Sequence, residues 1–453
     1  MRGVRKIQAA TCLLSLVAFC LAGGLSRAAE EDPSAGQLQL IIEYVSDAER
    51  ETRAMGLQYV REDVPGEAAT KAFAGLLAKL SPEAQVDLLD ALGDRGDAAA
   101  RPAVLNMLGS DQEAVRAAVL RALGSLGTTA EVPLLAGKAA AGSAPEKEAA
   151  RRSLARLRGD KVNAAIVSAM EGSKSDVRVA LLDVLAMRNA KEALPTVLEA
   201  TEDADGAVRL AALGALRFLA GEQETAAVVK TLKGARDTPQ RRKAELALLA
   251  LCSRSRQKCA AAIVEGLAEA DVPSRVVLLR ALARAGGPEA LEAIVARLED
   301  DDEAVRDEAV RMLSSWPDRA AAPHLKEMAK QKDNLRHHVL AIRGLVRLGS
   351  PQKDQPADLD VLAGAMGLAS RAQEKRLALA ALGGIATPES LALVAPALDD
   401  AALAEDAALA AVTIAEKMKD GKKDGVRSAL EKVVKQAKSR EVRGRAEKVL
   451  KSL

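Results

Sequence analysis

The stretch "DADGAVRLAALGALRFLAG", residues 203–221, combines an acidic start, a Val-Arg step and a regular run of small and apolar residues. With Val208 taken as position zero, that run falls at +3, +4, +7, +8 and +11: Ala211, Ala212, Ala215, Leu216 and Leu219. Because an α-helix has about 3.6 residues per turn, these positions share one face. The stretch therefore predicts an amphipathic helix that packs through this face.

The same pattern returns along the chain in "DQEAVRAAVLRALGSLG" (111–127), "KSDVRVALLDVLAMRN" (174–189) and "DDDEAVRDEAVRMLSSW" (300–316). The basic residues that align at +1 are Arg116, Arg178, Arg209, Arg242, Arg275, Arg306 and Arg336. After a first gap of 62 residues, the gaps are 31, 33, 33, 31 and 30. A period near 31 predicts an array of repeats. We expect the arginines at +1 to form a ladder with acidic groups of adjacent repeats.

Each repeat is predicted to contain two helices. The first is exemplified by "AKEALPTVLEAT" (190–201), where Pro195 lies in the first turn and its missing N–H is tolerated. One pair cannot bury its apolar face alone, so neighbouring pairs stack. We count about thirteen pairs over residues 37–453 and predict an all-α solenoid, with a loop insertion at 349–358. Residues 416–453 hold thirteen Lys/Arg against six Asp/Glu and are predicted to form a basic C-terminal cap.

The "VR..A…AL" second helices and the Pro-bearing first helices, as in "ALPTVLEA" (193–200), resemble the HEAT repeat family in its short bacterial form. The resemblance covers nearly all of the chain after its N-terminal segment. It implies a right-handed α-solenoid whose second helices line a concave face. It is specific for architecture and carries little information on activity.

The N-terminus has the pattern of an export signal. Arg2, Arg5 and Lys6 precede the apolar run 7–24, and "SRA" (26–28) offers small residues for cleavage after Ala28. We predict a signal peptide at 1–28, a short linker at 29–36 and a periplasmic or extracellular location, with a retained anchor as the alternative. Cleavage leaves 61 basic and 63 acidic side chains and no predicted membrane span. This balance gives no global electrostatic case for nucleic acid.

After the predicted cleavage two cysteines remain, Cys252 and Cys259, in "CSRSRQKC". In an exported protein such a pair suggests one disulfide. Seven residues of continuous helix span about 10.5 Å, too far for a bridge. A disulfide therefore requires a loop between the two cysteines; two free thiols or a redox pair remain the alternatives.

The residues best suited to catalysis cluster near Trp316, together with His324, His337 and His338. On the repeat, we expect Trp316 in the core, His338 on the flank of the core, and His324 and His337 facing outward. Adjacent histidines on a helix point about 100° apart and do not readily share a metal. The chain also lacks the His-Glu dipeptides of HEAT-like deoxyhypusine hydroxylases. No catalytic residue, metal or cofactor is predicted.

A second set of arginines lies at +6 of the second helices and could meet an acidic partner. The candidate partner-binding residues are Arg121, Arg280, Arg284, Arg311 and His337. We predict a non-catalytic scaffold that binds another protein, and no small-molecule substrate, through the concave face. One alternative is binding of an anion, nucleic acid or a membrane surface by the basic cap. The other is a HEAT-like enzyme, either a lyase or metal-dependent.

Overall fold

Of the 453 residues, the computed structural model describes 33–353, 355–418 and 423–453. Within these ranges the regular structure is helical, apart from one isolated β-bridge between Gln352 and Gln355. The predicted signal peptide and residues 29–32 of the predicted linker lie outside the described residues. None of the helices in the described ranges is both long and apolar enough to cross a membrane.

The first thirteen α-helices are α1 (Pro33–Ser46), α2 (Arg50–Glu62), α3 (Glu67–Ala74), α4 (Pro82–Arg95), α5 (Arg101–Asn106), α6 (Glu113–Leu126), α7 (Val132–Ala141), α8 (Ala144–Arg156), α9 (Val162–Met170), α10 (Ser175–Met187), α11 (Leu194–Glu199), α12 (Gly206–Leu219) and α13 (Thr225–Lys233). The remaining ones are α14 (Thr238–Ser255), α15 (Ala260–Leu267), α16 (Val272–Ala285), α17 (Pro288–Val295), α18 (Glu303–Ser314), α19 (Ala322–Lys330), α20 (Leu335–Gly349), α21 (Leu359–Leu368), α22 (Ala372–Gly383), α23 (Pro388–Val394), α24 (Ala404–Lys417), α25 (Lys423–Gln436) and α26 (Arg440–Ser452).

In the described residues the helices alternate between odd-numbered first helices and even-numbered second helices. Twelve pairs of consecutive helices each pack within one compact unit, whereas α7 and α8 belong to different units. The opening stretch shows why the second helices form. Asp205 caps α12, accepting hydrogen bonds from the N–H groups of Ala207 at 2.8 Å and Val208 at 3.4 Å. The predicted apolar positions Ala212 and Leu216 are fully buried. The prediction of an all-α solenoid is confirmed.

The chain divides into two compact units. Unit 1 comprises residues up to Glu131 together with Ser143–Arg158, and so holds α1–α6 and α8. Unit 2 comprises Val132–Gly142 and Gly159–Leu453, and so holds α7 and α9–α26. In unit 1 the second helices stack in the order α2, α4, α6 and α8. In unit 2 they stack in order from α10 to α26, and α7 packs against α9 and α10.

Small residues allow neighbouring second helices to approach closely. In unit 1, a Cβ added at Gly93 of α4 would lie 3.0 Å from the Cα of Ala122 in α6. In unit 2, a Cβ at Gly383 of α22 would lie 3.1 Å from the Cα of Ala410 in α24. Because protein interiors are close-packed, these contacts require Gly and Ala. This packing explains a core rich in Ala and Leu and poor in aromatic residues.

The connection between α20 and α21 contains most of the predicted insertion and folds back onto the end of α20. The N–H of Asp358 donates to the carbonyl of Gly349 at 2.8 Å, and the Asp358 carboxylate caps α21 through the N–H of Val361 at 3.1 Å. Arg319, which precedes α19, donates from Nε to the carbonyl of Leu348 at 3.1 Å. These bonds hold both ends of the connection against the helical array.

Candidate functional site

The arginine at +1 of a second helix binds the turn that enters that helix. Arg209 Nη1 donates to the carbonyls of Asp203 at 2.8 Å and Ala204 at 2.9 Å. Arg306 Nη1 makes the equivalent bonds to Asp300 at 2.6 Å and Asp301 at 2.9 Å. Carbonyls at the end of a helix or turn need partners when the helix itself cannot supply them. This requirement explains the recurrence of arginine at this position.

Several of these arginines also pair with an acid of the next repeat, as the ladder prediction requires. The pairs are Arg116 with Glu146 at 2.7 Å, Arg178 with Asp203, Arg241 with Asp271 at 3.2 Å, and Arg275 with Asp300 at 2.8 Å. The ladder is thus confirmed for these repeats. The alignment of Arg242 was wrong: Gln240 and Ala244 are buried at the helix start, so Arg241 takes the +1 position and Arg242 is exposed.

His338 occupies a closed, buried environment. It is 1% exposed, its Nδ1 lies 2.9 Å from the carbonyl of Ala329, and its Nε2 lies 2.9 Å from Ser370 Oγ and 3.3 Å from Ser370 N. Because a carbonyl only accepts, Nδ1 carries the proton and Nε2 accepts from Ser370. Trp316, two residues after the end of α18, is also 1% exposed and lies in the core as predicted.

The buried residues of α20 reveal a register different from the predicted one. The buried set Ala341, Ile342, Leu345 and Leu348 matches Ala212, Leu213, Leu216 and Leu219 of α12. This match puts His338 at +1 and Arg336 at −1, so the alignment of Arg336 with the ladder arginines was wrong by two residues. The contact between His338 and Ser370 therefore replaces an arginine–acid pair with a neutral one.

The other two histidines have separate surroundings. His337 Nε2 lies 2.6 Å from Asp307 Oδ1, and its side chain is 19% exposed, so it is turned inward more than predicted. The hydrogen bond with His337, aided by the charge of Arg336, lowers the pKa of Asp307. His324 is half-buried on α19, in an open groove beside Arg319. Across the described ranges, no group of three or more His, Cys, Asp or Glu side chains could hold a metal.

Positive charge is concentrated on one class of helix in the middle of unit 2. The second helices α14, α16, α18, α20 and α22 carry fourteen Lys/Arg against five Asp/Glu. The first helices α13, α15, α17, α19 and α21 carry four against five. We call the solvent-exposed residues of these five second helices the basic surface. Its excess of positive charge suits a negatively charged partner.

Three arginines at the same helical position form the centre of the basic surface. Arg280, Arg311 and Arg343 lie at +6 of α16, α18 and α20, which pack consecutively, and their side chains are 38%, 46% and 50% exposed. We call these three residues the arginine column. Two carboxylates lie beneath them: Glu308 is 3% and Glu374 is 0% exposed. The cations therefore face solvent while the balancing anions are buried.

Ion pairs hold the column in place. Arg280 donates from Nε to Glu308 Oε1 at 2.8 Å and from Nη1 to Glu245 Oε1 at 2.9 Å, linking α16 to both neighbouring second helices. The hydrogen bond to Glu308 raises the pKa of Arg280 above its usual value. Arg311 also pairs with Glu308, and Arg343 Nη2 lies 4.0 Å from Glu374 Oε1. The guanidinium groups are thus positioned before any partner arrives.

The predicted partner-binding residues are only partly brought together. Arg280 and Arg311 belong to the column, and Arg284 lies one turn further along α16, where its Nε donates to Ser253 Oγ at 2.8 Å. Arg121 lies in unit 1 and pairs with Asp90 through two hydrogen bonds of 2.9 and 3.0 Å. Arg343 was missed because of the register error in α20. Aligning α20 by the spacing of its apolar residues, and not by its first arginine, would have placed Arg343 at +6.

The C-terminal cations are partly paired within the solenoid. Arg445 of α26 binds Glu416 at 2.7 and 2.9 Å, and Lys432 of α25 binds Asp399 at 2.9 Å. Residues 419–422 of the predicted basic cap lie outside the described residues. These pairs direct part of the basic charge of the cap toward neighbouring helices.

The two cysteines meet where α14 ends. Cys252 lies in its last turn, Arg256 has a φ of 54°, and Cys259 closes the 3₁₀ turn that follows. The non-helical break brings the sulfurs to 3.4 Å, and both free thiols are buried. The hydrogen bond with Cys259 and burial both raise the pKa of Cys252, whereas the same contact lowers the pKa of Cys259. The disulfide remains a prediction.

Solved structures of the karyopherin Kap121p are similar to this chain. The structure of Kap121p bound to Ste12p matches with a TM-score of 0.51 and 13% identity, covering 92% of this chain and 53% of that one. The structure bound to Nup53p matches with a TM-score of 0.51 and 12% identity, covering 93% and 53%. At such identity the likeness shows the fold alone, and this chain spans about half the length of those karyopherin chains.

A comparison with curated proteins found no match. The family described as HEAT repeats matches residues 69–155, 163–250 and 260–345, which together make up more than half of the chain. These segments include the second helices that carry the arginine ladder and the arginine column. The paired helices, their stacking and this match lead to one conclusion: the chain belongs to the HEAT repeat family.

Proposed function

We propose that this protein is an exported, non-catalytic scaffold that binds another protein through the basic surface of unit 2. The observation that carries the proposal is the arginine column, in which Arg280, Arg311 and Arg343 repeat on three consecutive second helices. A series of equivalent groups on stacked helices suits an elongated partner. Affinity then comes from several modest contacts, with arginines as anchors.

The fold and the side-chain contacts support this proposal. The Kap121p structures are complexes with Ste12p and with Nup53p, so a related fold accommodates bound proteins. In this chain the contact between His338 and Ser370 is buried and occupies the position of a ladder pair. This position supports a role in packing between repeats. Export is supported by the charged, apolar and small-residue segments of residues 1–28.

The test is site-specific photo-cross-linking in intact cells. A photoreactive amino acid replaces Leu246 of α14 or Leu409 of α24, which lie on second helices and are 38% and 46% exposed. The matched control is Leu134 of the first helix α7, which is 36% exposed. We expect one protein to be captured from Leu246 and Leu409 and not from Leu134. The mass of the recovered chain also shows whether residues 1–28 have been removed.

Two outcomes would contradict the scaffold. One is capture of this chain alone, with no other protein, from both second-helix positions. The other is capture of the same proteins to the same extent from Leu134, which would show that the second helices have no special role. Recovery of an intact N-terminus from the cytoplasmic fraction would contradict export and leave the scaffold to be judged by the cross-links.

A further inference from the structure

We infer that the arginine column binds an extended acidic segment of the partner protein, with carboxylates about three residues apart. This inference rests on the proposed protein-binding function and specifies its ligand. Neighbouring helix axes in packed proteins lie about 8–10 Å apart. A segment in the extended polyproline II conformation advances about 3.1 Å per residue with three residues per turn, so every third side chain lies on the same face, about 9 Å from the last. A segment that crosses α16, α18 and α20 therefore presents every third side chain to Arg280, Arg311 and Arg343 in turn.

The column has donors available for such a segment. Arg311 binds Glu308 through Nη1, and the guanidinium of Arg343 lies 4.0 Å from Glu374. With 46% and 50% of these side chains exposed, N–H groups remain accessible to solvent. An arginine fork matches the geometry of a carboxylate and binds it through paired hydrogen bonds. The column thus offers separate binding positions for the carboxylates of a partner, and not one diffuse basic patch.

The residues at either end of the column are apolar. Leu246, at +6 of α14, precedes it and is 38% exposed. Ala380 and Leu409, at +6 of α22 and α24, follow it, and Leu409 is 46% exposed. Along six consecutive second helices, the residue at +6 is therefore first apolar, then basic in three helices, and then apolar again. A matching segment has an apolar residue at each end and acidic residues between them.

A protein segment fits this surface better than nucleic acid. Glu245 is 21% exposed, and together with the buried Glu308 and Glu374 it lies close to the column. These fixed negative charges oppose a continuous phosphate backbone more than intermittent carboxylates. Binding of single strands also relies on exposed aromatic rings. The described residues of α16, α18 and α20 include no Phe, Tyr or Trp, and the neighbouring Trp316 is buried.

The experiment measures peptide binding to the full chain by fluorescence anisotropy. The probe is a labelled extended peptide with Glu at every third position and Leu at both ends. A second peptide has the same composition with its glutamates adjacent, and a third has Gln in place of Glu. The protein variants are Arg311→Gln/Arg343→Gln, which leaves Glu308 with Arg280 and Glu374 with Arg371, and the control Arg152→Gln. Circular dichroism confirms that each variant is folded.

We expect the spaced peptide to bind most tightly, and its affinity to fall as salt screens the charges. The double variant should lose up to about 25-fold in affinity, since each of the two exposed charge pairs contributes up to roughly fivefold. Arg152→Gln removes an exposed charge at the same helical position, +6 of α8 in unit 1, and should bind like the wild type.

The inference is overturned if the spaced and clustered peptides bind equally, or if the double variant binds like the wild type. It is also overturned if a single-stranded oligonucleotide of equal charge binds more tightly than the spaced peptide with the same dependence on the column. These failures differ from failure of the scaffold. A partner cross-linked to Leu246 would still support protein binding, with a ligand of different chemistry.

Discussion

Glu374 has no exposed surface, yet its surroundings favour the charged form. Arg371 donates two hydrogen bonds to its carboxylate, at 2.6 and 2.8 Å, and Arg343 lies 4.0 Å away. The hydrogen bonds from Arg371, opposed by burial, lower the pKa of Glu374 from 4.5. Because the folded pKa is lower than the unfolded one, the ionised carboxylate stabilises the fold above pH 4.5, and this stabilisation is lost as the pH falls toward the folded pKa.

We therefore expect Glu374→Gln to lower the stability near neutral pH by about 1–3 kcal/mol, the usual cost when a buried charged hydrogen bond is removed. The difference from the wild type should shrink as the pH is lowered below 4.5. Urea unfolding from pH 7 to pH 3 measures it. Glu265→Gln, an exposed position on α15, is the control. A difference that stays constant over this pH range would contradict the assignment.

The sulfurs of Cys252 and Cys259 lie 3.4 Å apart and must approach to about 2.0 Å to form a disulfide. In a disulfide-exchange buffer containing oxidised glutathione, the Cys259 thiolate attacks the glutathione disulfide and releases one glutathione thiolate. The Cys252 thiolate then attacks the mixed disulfide and releases the second one. The two cysteines are oxidised, and the glutathione disulfide is reduced to two thiols.

We expect the oxidised chain to give a cross-linked peptide containing both cysteines, and the closed loop to stabilise the end of α14 by roughly 2–3 kcal/mol. Peptide mapping without reduction and thermal unfolding measure the two effects. In Cys252→Ser, Cys259 should instead retain glutathione. If both thiols of the denatured, unreduced wild type remain open to alkylation, the pairing is wrong.

At the scale of elements, α1 and α2 meet through a glycine. A Cβ added at Gly56 would lie 2.6 Å from the backbone N of Val45 and 2.9 Å from the carbonyl carbon of Tyr44. These are backbone atoms of α1 and cannot move aside without separating the two helices. By contrast, an added Cβ at Gly367 of α21 meets nothing within 4 Å.

The same substitution should therefore have opposite effects at the two positions. Gly56→Ala should destabilise unit 1 by about 1–3 kcal/mol through overpacking. Gly367→Ala should stabilise unit 2 by about 0.5–1 kcal/mol, because alanine loses less backbone entropy in a helix. Denaturant midpoints of the two variants provide the comparison. A stabilising Gly56→Ala would show that the approach of α1 to α2 is looser than described.

At the scale of the whole molecule, stability in stacked repeats is carried by contacts between neighbours. His338 links α20 to the Ser370 turn before α22 and to Ala329 at the end of α19. His338→Ala removes both bonds and leaves a cavity. We expect it to speed hydrogen exchange in α18, α20 and α22 by about tenfold or more, with little change in α10 and α12 of the same unit. His324→Ala, at a half-buried position, is the control.

Hydrogen exchange followed by mass spectrometry resolves these helices separately. Equal acceleration throughout unit 2 would show that the unit opens as a single cooperative body, in contradiction to neighbour-limited stability. Equal effects of His338→Ala and His324→Ala would contradict the structural role of the buried histidine.

The sequence by itself determined the helices and their alternation as first and second helices, because a helical face of Ala and Leu is set by residues a few positions apart. Tertiary structure decided the registers of α14 and α20, the neutral contact of His338 and the membership of Arg343 in the column. These features depend on contacts between residues 25 to 35 positions apart in adjacent repeats, such as Arg275 with Asp300 and Arg280 with Glu245. No local pattern encodes which of two neighbouring side chains turns toward the next helix, since packing between repeats fixes that choice.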